Sequence, residues 1–246
     1  MTKIVAIIPA RWGSSRFPGK PLALLAGRPM IQRVYERAAL IPNVAGVWVA
    51  TDDERIEKAV KTFGGEALMT SPDRQSGTDR LYEAATALGL AEEDVVVNVQ
   101  GDQPCLNPAH PGLLARALLS GSAPVATLAV PLADPAEIAN PNHVKVVFDA
   151  KGRAIYFSRS PIPFYRDGAG ECFKHIGLYA YRVDFLRRFV QWPPGRLETA
   201  EKLEQLRILE RGEAIQVAVG EGLSPEVDAP EDLLIAEEAW RRLQAG

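Results

Sequence analysis

The chain has 246 residues, 47% of them hydrophobic and 24% charged, with a formal net charge of −3. That length removes roughly 70–75% of the unfolded surface from water on folding, and the composition excludes a disordered chain, a collagen-like repeat and a coiled coil. No apolar run reaches the ~18–20 residues of a membrane span, the N-terminal apolar stretch is too short for a signal peptide, and the net negative charge does not fit a nucleic-acid coat.

In chain order, residues 4–8 are continuously apolar and predict a buried strand. A loop over 9–19 follows, then a helix to about Leu40 with Pro29 in its first turn. Residues 47–50 predict a second strand, and Asp52 and Asp53 are placed to cap a helix over 54–63. A short strand over 67–69, a helix over 78–88 and a strand over 95–99 come next. Pro108 and Pro111 allow a helix start but no helix interior before Leu113. A strand is predicted over 125–130.

The middle of the chain changes character. Residues 144–148 and 154–157 read as a hairpin, and 175–181 as a further strand. The tail returns to pattern with a helix over 197–211, a strand over 215–219 and a helix over 230–243. The fold class is therefore α/β: a Rossmann-like, mainly parallel sheet with helices on both faces, plus an inserted β-rich segment. One domain over 1–246 is expected, with about 140–182 as the strand-rich subregion.

In open parallel sheets, ligands bind beyond the carboxyl ends of the strands. The first forty residues carry Lys3, Arg11, Arg16, Lys20, Arg28, Arg33 and Arg37 against Glu36 alone, a cationic field that suits a small anionic ligand. The loop after the first strand holds Arg11, Gly13, Ser14, Ser15, Arg16, Gly19 and Lys20. Glycine and serine let backbone N–H groups approach an anion, and the cations favour a triphosphate. It is not a Walker loop, because Pro21 stands where the metal-binding Ser or Thr belongs. The bland alternative is a solvated basic loop.

Asp102, just past the strand over 95–99, is placed to hold Mg²⁺, which takes oxygen ligands. Asp228 is a candidate second ligand, although taken alone it reads as a helix N-cap. The segment Gln75-Ser76-Gly77-Thr78-Asp79-Arg80 offers groups for a base edge and a phosphate, or an ordinary cap. Alternation along 175–181 puts His175, Gly177, Tyr179 and Tyr181 on one face, which suits a polar pocket floor or a dimer contact. Glu201, Glu204, Gln205 and Ile208 fall on one stripe of the expected tail helix, which by itself reads as a solvated face.

Taken together these segments resemble the 3-deoxy-manno-octulosonate (Kdo) cytidylyltransferases. The resemblance rests on I-I-P-A-R at 7–11, S-R-F-P-G-K-P at 15–21, A-T-D at 50–52 and Q-S-G-T-D-R at 75–80. It continues in V-N-V-Q-G-D at 97–102, N-P-N-H-V-K-V-V at 140–147, Y-F-S-R-S-P-I-P at 156–163, H-I-G-L-Y-A-Y-R at 175–182, L-E-Q-L-R at 203–207 and V-D-A-P-E-D-L at 227–233.

The resemblance implies a nucleotidyltransferase domain that joins CTP and Kdo into CMP-Kdo and pyrophosphate with Mg²⁺. It implies a cytoplasmic homodimer serving lipopolysaccharide synthesis, with the inserted strands taking part in sugar binding and dimer contact. By the same resemblance Asp102 and Asp228 are metal ligands, and Lys20, Arg16 and Asp102 are catalytic. Arg11, Ser14, Lys20, Gln75, Ser76, Gly77 and Arg80 bind nucleotide, while Gln100, Arg159, His175, Tyr179, Glu204 and Gln205 bind sugar. Gln103, where the family commonly has an acid, and Ala229, where it commonly has Thr, depart from the pattern.

Overall fold

The computed structural model describes residues 2–13, 16–74, 76–168, 170–222 and 224–245. The chain divides into two compact units, one of residues 1–112, 182–190 and 224–246, the other of residues 113–181 and 191–223.

The first unit is built on parallel strands in the order Val95–Asn98, Ile4–Ala10, Val47–Thr51 and Glu66–Met69. Ile4 aligns with Val95, and Ala6 with Val47. The two inner runs are apolar at successive positions because both faces are covered: Val5, Ala6, Ile7, Ile8, Val95, Val96 and Val97 are all buried. Helices Met30–Ala38 and Gly77–Ala87 both pack on Ile4–Ala10. Helix Glu54–Thr62 is capped by Asp53, whose carboxylate accepts from the Arg55 N–H. Asp52, expected to share that role, instead pairs with Arg80. Helices Val183–Phe189 and Asp232–Ala245 complete the unit. Leu25, Met30, Cys105, Val227, Ala236 and Trp240 form a core cluster that fastens the loop before the last helix. Both cysteines are buried and free.

In the second unit Ile215–Val219 runs parallel to Val125–Leu132, and Cys172–Arg182 runs antiparallel to Val125–Leu132. The expected hairpin forms from Lys145–Phe148 and Ala154–Ser158. The side chain of Asp149 fixes its turn by accepting from the N–H groups of Lys151 and Arg153. The mainly parallel α/β architecture is present as expected, with a short antiparallel pair, Leu24–Leu25 and Arg28–Pro29, in the first unit and further antiparallel pairings in the second.

Helix Ala109–Ser120 carries Pro111 in its first turn, as expected of a helix start, because a first-turn residue needs no intrahelical N–H partner. Two local expectations give way. The single tail helix expected over 197–211 is two, Arg196–Glu201 and Leu206–Glu210, interrupted at Lys202 with φ 55°. The last helix begins at Asp232, so Asp228 is outside it. Among the described residues, no helix is long and apolar enough to cross a membrane.

Candidate active site

A cavity of about 360 Å³ opens in the first unit, beyond the carboxyl ends of Ile4–Ala10 and Val95–Asn98. Its walls include Arg11, Arg16, Lys20, Arg74, Ser76, Gly77, Arg80, Gln100, Asp102 and Asp228. Five cations thus face two carboxylates, an excess that favours a polyanionic ligand. Ser14 and Gln75, also expected here, lie outside the described residues.

The loop after the first strand is shaped by Gly19. Its φ is +72°, and a Cβ there would lie 2.9 Å from the Trp12 ring. The Gly19 N–H donates to the Trp12 carbonyl at 3.0 Å. The Arg55 guanidinium stacks 3.5 Å from the centroid of the Trp12 ring. The loop therefore closes on itself and leads directly into the turn Lys20–Leu22.

Lys20 is the centre of the charge arrangement. Its Nζ donates to Asp102 Oδ2 at 3.0 Å and to the Val227 carbonyl at 2.8 Å, and lies 3.8 Å from Asp228 Oδ1. Arg16 Nη2 donates to the same Asp228 oxygen at 3.0 Å. Two carboxylates separated by more than a hundred positions in sequence thus converge on one ammonium. The backbone explains the convergence: the Val227 N–H donates to the Asp102 carbonyl at 2.9 Å. The Asp232 carboxylate accepts from the Asp228 and Ala229 N–H groups at 2.9 and 2.8 Å. Asp232 fixes the loop, and the Asp228 side chain is released from the capping role to face Arg16 and Lys20. Gly101 allows the tight turn before Asp102, since a Cβ there would lie 3.1 Å from the Pro9 carbonyl oxygen.

Mg²⁺ was the ion expected here. The donor chemistry suits a hard cation that keeps phosphate and water among its ligands, because such a site needs only one or two carboxylates. The gap between Asp102 and Asp228 already accommodates a cationic group in the form of the Lys20 ammonium. Among the described residues, no group of three or more His, Cys, Asp or Glu converges as an all-protein metal cage. Beside Asp102, Gln103 is buried and donates to Glu226 Oε1 at 3.0 Å. Gln103 stands where an acid was expected, and an acidic group from another segment is its partner.

The segment 76–80 serves two ends. Ser76 forms a capping box with Asp79 that starts helix Gly77–Ala87. Arg80 lines the cavity, but its buried guanidinium is engaged by Asp52 and by the Thr70 hydroxyl. Arg74 was not singled out from sequence. It lines the same cavity while paired to Glu83 at 2.6 Å, and its position just before the Gln75–Arg80 segment was the available signal.

The expected sugar residues divide. Gln100 lines the cavity of the first unit, whereas the others belong to the second unit. There, His175 is buried with Nε2 2.9 Å from Thr127 Oγ1, and burial lowers its pKa to about 3, so the imidazole is neutral at pH 7. The His175 and Tyr179 rings are 5.5 Å apart, as are those of Tyr179 and Tyr181, so the three share one face. Burial, then the Glu204 carboxylate, push the Tyr179 hydroxyl well above its ordinary range. Gln205 is buried, and among the described residues its amide nitrogen has no partner, an unmet donor where the broken helix resumes. Glu201 faces Ser158 and Arg159, so it does not join a solvated stripe.

A parallel α/β sheet with this basic strand-end cavity places the chain among the nucleotidyltransferases. The family model described as Cytidylyltransferase matches residues 5–215, and the chain belongs to that family. It is 53% identical over 241 residues to the 8-amino-3,8-dideoxy-manno-octulosonate cytidylyltransferase of Shewanella halifaxensis, covering 95% of this chain and 97% of that protein. It is 54% identical over 234 residues to the 3-deoxy-manno-octulosonate cytidylyltransferase of Desulfatibacillum aliphaticivorans, covering 94% and 96%. A solved structure of CMP:2-keto-3-deoxy-manno-octonic acid synthetase complexed with CTP superposes with a TM-score of 0.92 at 44% identity, covering 100% of both chains.

Proposed function

We propose that this enzyme transfers the cytidylyl group of CTP to Kdo, releasing pyrophosphate and supplying CMP-Kdo for lipopolysaccharide synthesis. The observation that carries the reading is the strand-end cavity in which Arg11, Arg16, Lys20 and Arg74 face Asp102 and Asp228, in a chain whose relatives are named for this activity. The anomeric hydroxyl would attack the α-phosphorus in line, a reaction that depends on alignment and charge neutralisation more than on covalent help.

Lys20 and Arg16 neutralise charge on the departing pyrophosphate, and Arg11 holds the triphosphate. Ser76 and Gly77 are assigned to reading the nucleotide, as are Ser14 and Gln75. Asp102 and Asp228 would hold Mg²⁺, which supplies Lewis-acid charge and lowers the pKa of a bound hydroxyl. In the second unit, Arg159 is assigned to the sugar carboxylate, because a hydrogen bond from a charged guanidinium to a carboxylate is among the strong ones. Glu204 and Gln205 exchange hydrogen bonds with hydroxyls, and His175 and Tyr179 shape the polar surface; Gln100 is likewise assigned to the sugar. A cytoplasmic homodimer completes the reading.

A second acceptor is favoured by the Shewanella relative, which is named for the 8-amino sugar. The experiment is pyrophosphate release with CTP or UTP, Kdo or 8-amino-3,8-dideoxy-Kdo, with and without Mg²⁺. Release that requires CTP, Kdo and Mg²⁺ supports the proposal. A higher kcat/KM with the amino sugar would replace Kdo as the acceptor, and no release with either would overturn the reading.

A further inference from the structure

Lys145 has no part in the chemistry above, yet it is among the largest fully buried side chains of the described residues. It lies on strand Lys145–Phe148, opposite Ser158 in the hairpin. An ammonium withdrawn from water is costly unless its donors are satisfied, and here all three are used. Lys145 Nζ donates to the carbonyls of Asn140 at 3.0 Å, His143 at 2.5 Å and Arg159 at 2.6 Å. Its partners are carbonyl dipoles, so burial lowers its pKa below the ordinary lysine value. Such an ammonium is a three-way clasp between two chain segments.

The two segments are those that hold Arg159. Arg159 Nη1 donates to the Pro141 carbonyl at 3.0 Å, within the 140–143 turn that Lys145 grips. Arg159 Nε donates to the Glu201 carbonyl at 2.8 Å, and its backbone N–H donates to Glu201 Oε2 at 3.0 Å. Lys145 therefore fixes Arg159 twice, through the arginine's own carbonyl and through the turn that receives its Nη1. These bonds use Nε and Nη1 and, among the described residues, leave Nη2 to address a ligand.

We propose that Lys145 is a positioning residue that sets the Arg159 guanidinium for the carboxylate of the sugar-acid acceptor, through the backbone carbonyls that it ties together. This rests on the functional reading above. A lysine that only supported the fold would affect both substrates alike, whereas the clasp acts through Arg159 and hence on the acceptor.

The test is Lys145→Met in steady-state kinetics, beside Arg159→Ala and the double variant. Misplacement of a binding group by about an ångström costs up to ~10²-fold. Lys145→Met should therefore raise KM for the acceptor roughly ten- to a hundredfold and leave KM for CTP within about twofold. Because both residues act as one unit, the double variant should match Arg159→Ala within about twofold. Equal effects on both substrates, or independent effects that multiply in the double variant, would overturn the proposal.

Should the Lys145 variants fail to fold, ¹⁵N-lysine-labelled wild-type enzyme decides. The Lys145 ammonium should give a slowly exchanging signal that shifts when acceptor is added, and a signal indifferent to acceptor overturns the clasp. Wild-type enzyme that turns over no sugar acid would overturn the functional reading itself, whereas active wild type with an unchanged acceptor KM in Lys145→Met overturns only the clasp.

Discussion

Replacing Lys20 with methionine should tighten divalent-cation binding to the free enzyme while nearly abolishing turnover. In the structure the Lys20 ammonium stands 3.0 Å from Asp102 and 3.8 Å from Asp228, between the two carboxylates assigned to the metal. At such distances, unit charges attract by about 1 kcal/mol in water-like screening and by about 4–5 kcal/mol at an effective dielectric near 20. The aspartate side chains are 29% and 46% exposed, so the weakly screened end overstates the effect and about 1–2 kcal/mol is the working figure. Methionine keeps the length of the side chain and removes the competing charge. Titration of Mn²⁺ followed by electron paramagnetic resonance, without nucleotide, should show about tenfold tighter binding. Pyrophosphate release should fall by ~10²–10³-fold, the usual loss for a preorganised electrostatic stabiliser. Unchanged or weaker Mn²⁺ binding would refute the argument that ammonium and metal share one site.

Three further outcomes follow from other parts of the molecule. Asp102→Asn should abolish pyrophosphate release while CTP still binds in a fluorescence titration; full activity would dismiss its metal role. The burial of neutral His175, with a pKa near 3 against 6.5 for the free imidazole, means that the unfolded chain takes up its proton first as the pH falls. Stability conferred by the neutral ring is therefore whole above about pH 6.5 and declines from there towards pH 3. Urea unfolding at pH 7 and pH 5 should differ by about 2 kcal/mol from this group, and His175→Gln should remove that share; an identical slope in the variant would contradict it. Arg207 Nε and Nη2 donate to both Glu198 oxygens, at 2.7 and 2.5 Å, with both side chains largely buried. Arg207→Ala should cost about 3–5 kcal/mol, because it strands a buried carboxylate, and a melting temperature within a degree or two of wild type would exclude that.

The parallel sheet was legible because its strands are covered on both faces. Residues 4–8 and 95–97 are apolar at every position, a pattern that solvent-facing strands do not keep. The strand over 215–219 is found with the bounds read from sequence. The basic loop and Asp102 were legible for a chemical reason: charge gathered after buried strands has little structural use.

What escaped was set by contacts distant in sequence. Asp228 passes for a helix cap until Asp232 is seen to hold the loop in its stead. The tail helix keeps helical spacing through residue 208, and only the left-handed Lys202 breaks it, turning Glu201 towards Arg159. Helix Val183–Phe189 follows directly from the preceding strand, with no Gly or Pro to punctuate the change. Lys145 reads as a surface charge in a short strand, and its burial depends on three carbonyls that no local pattern announces.

The proposed reaction requires one cation shared between Asp102 and Asp228 in the presence of a triphosphate. Crystals of the enzyme grown with CTP and Mn²⁺, measured at the manganese absorption edge, test this directly. An anomalous peak touching both carboxylates and a phosphate oxygen is the predicted result. Manganese bound to the nucleotide alone, with neither aspartate among its ligands, would contradict it.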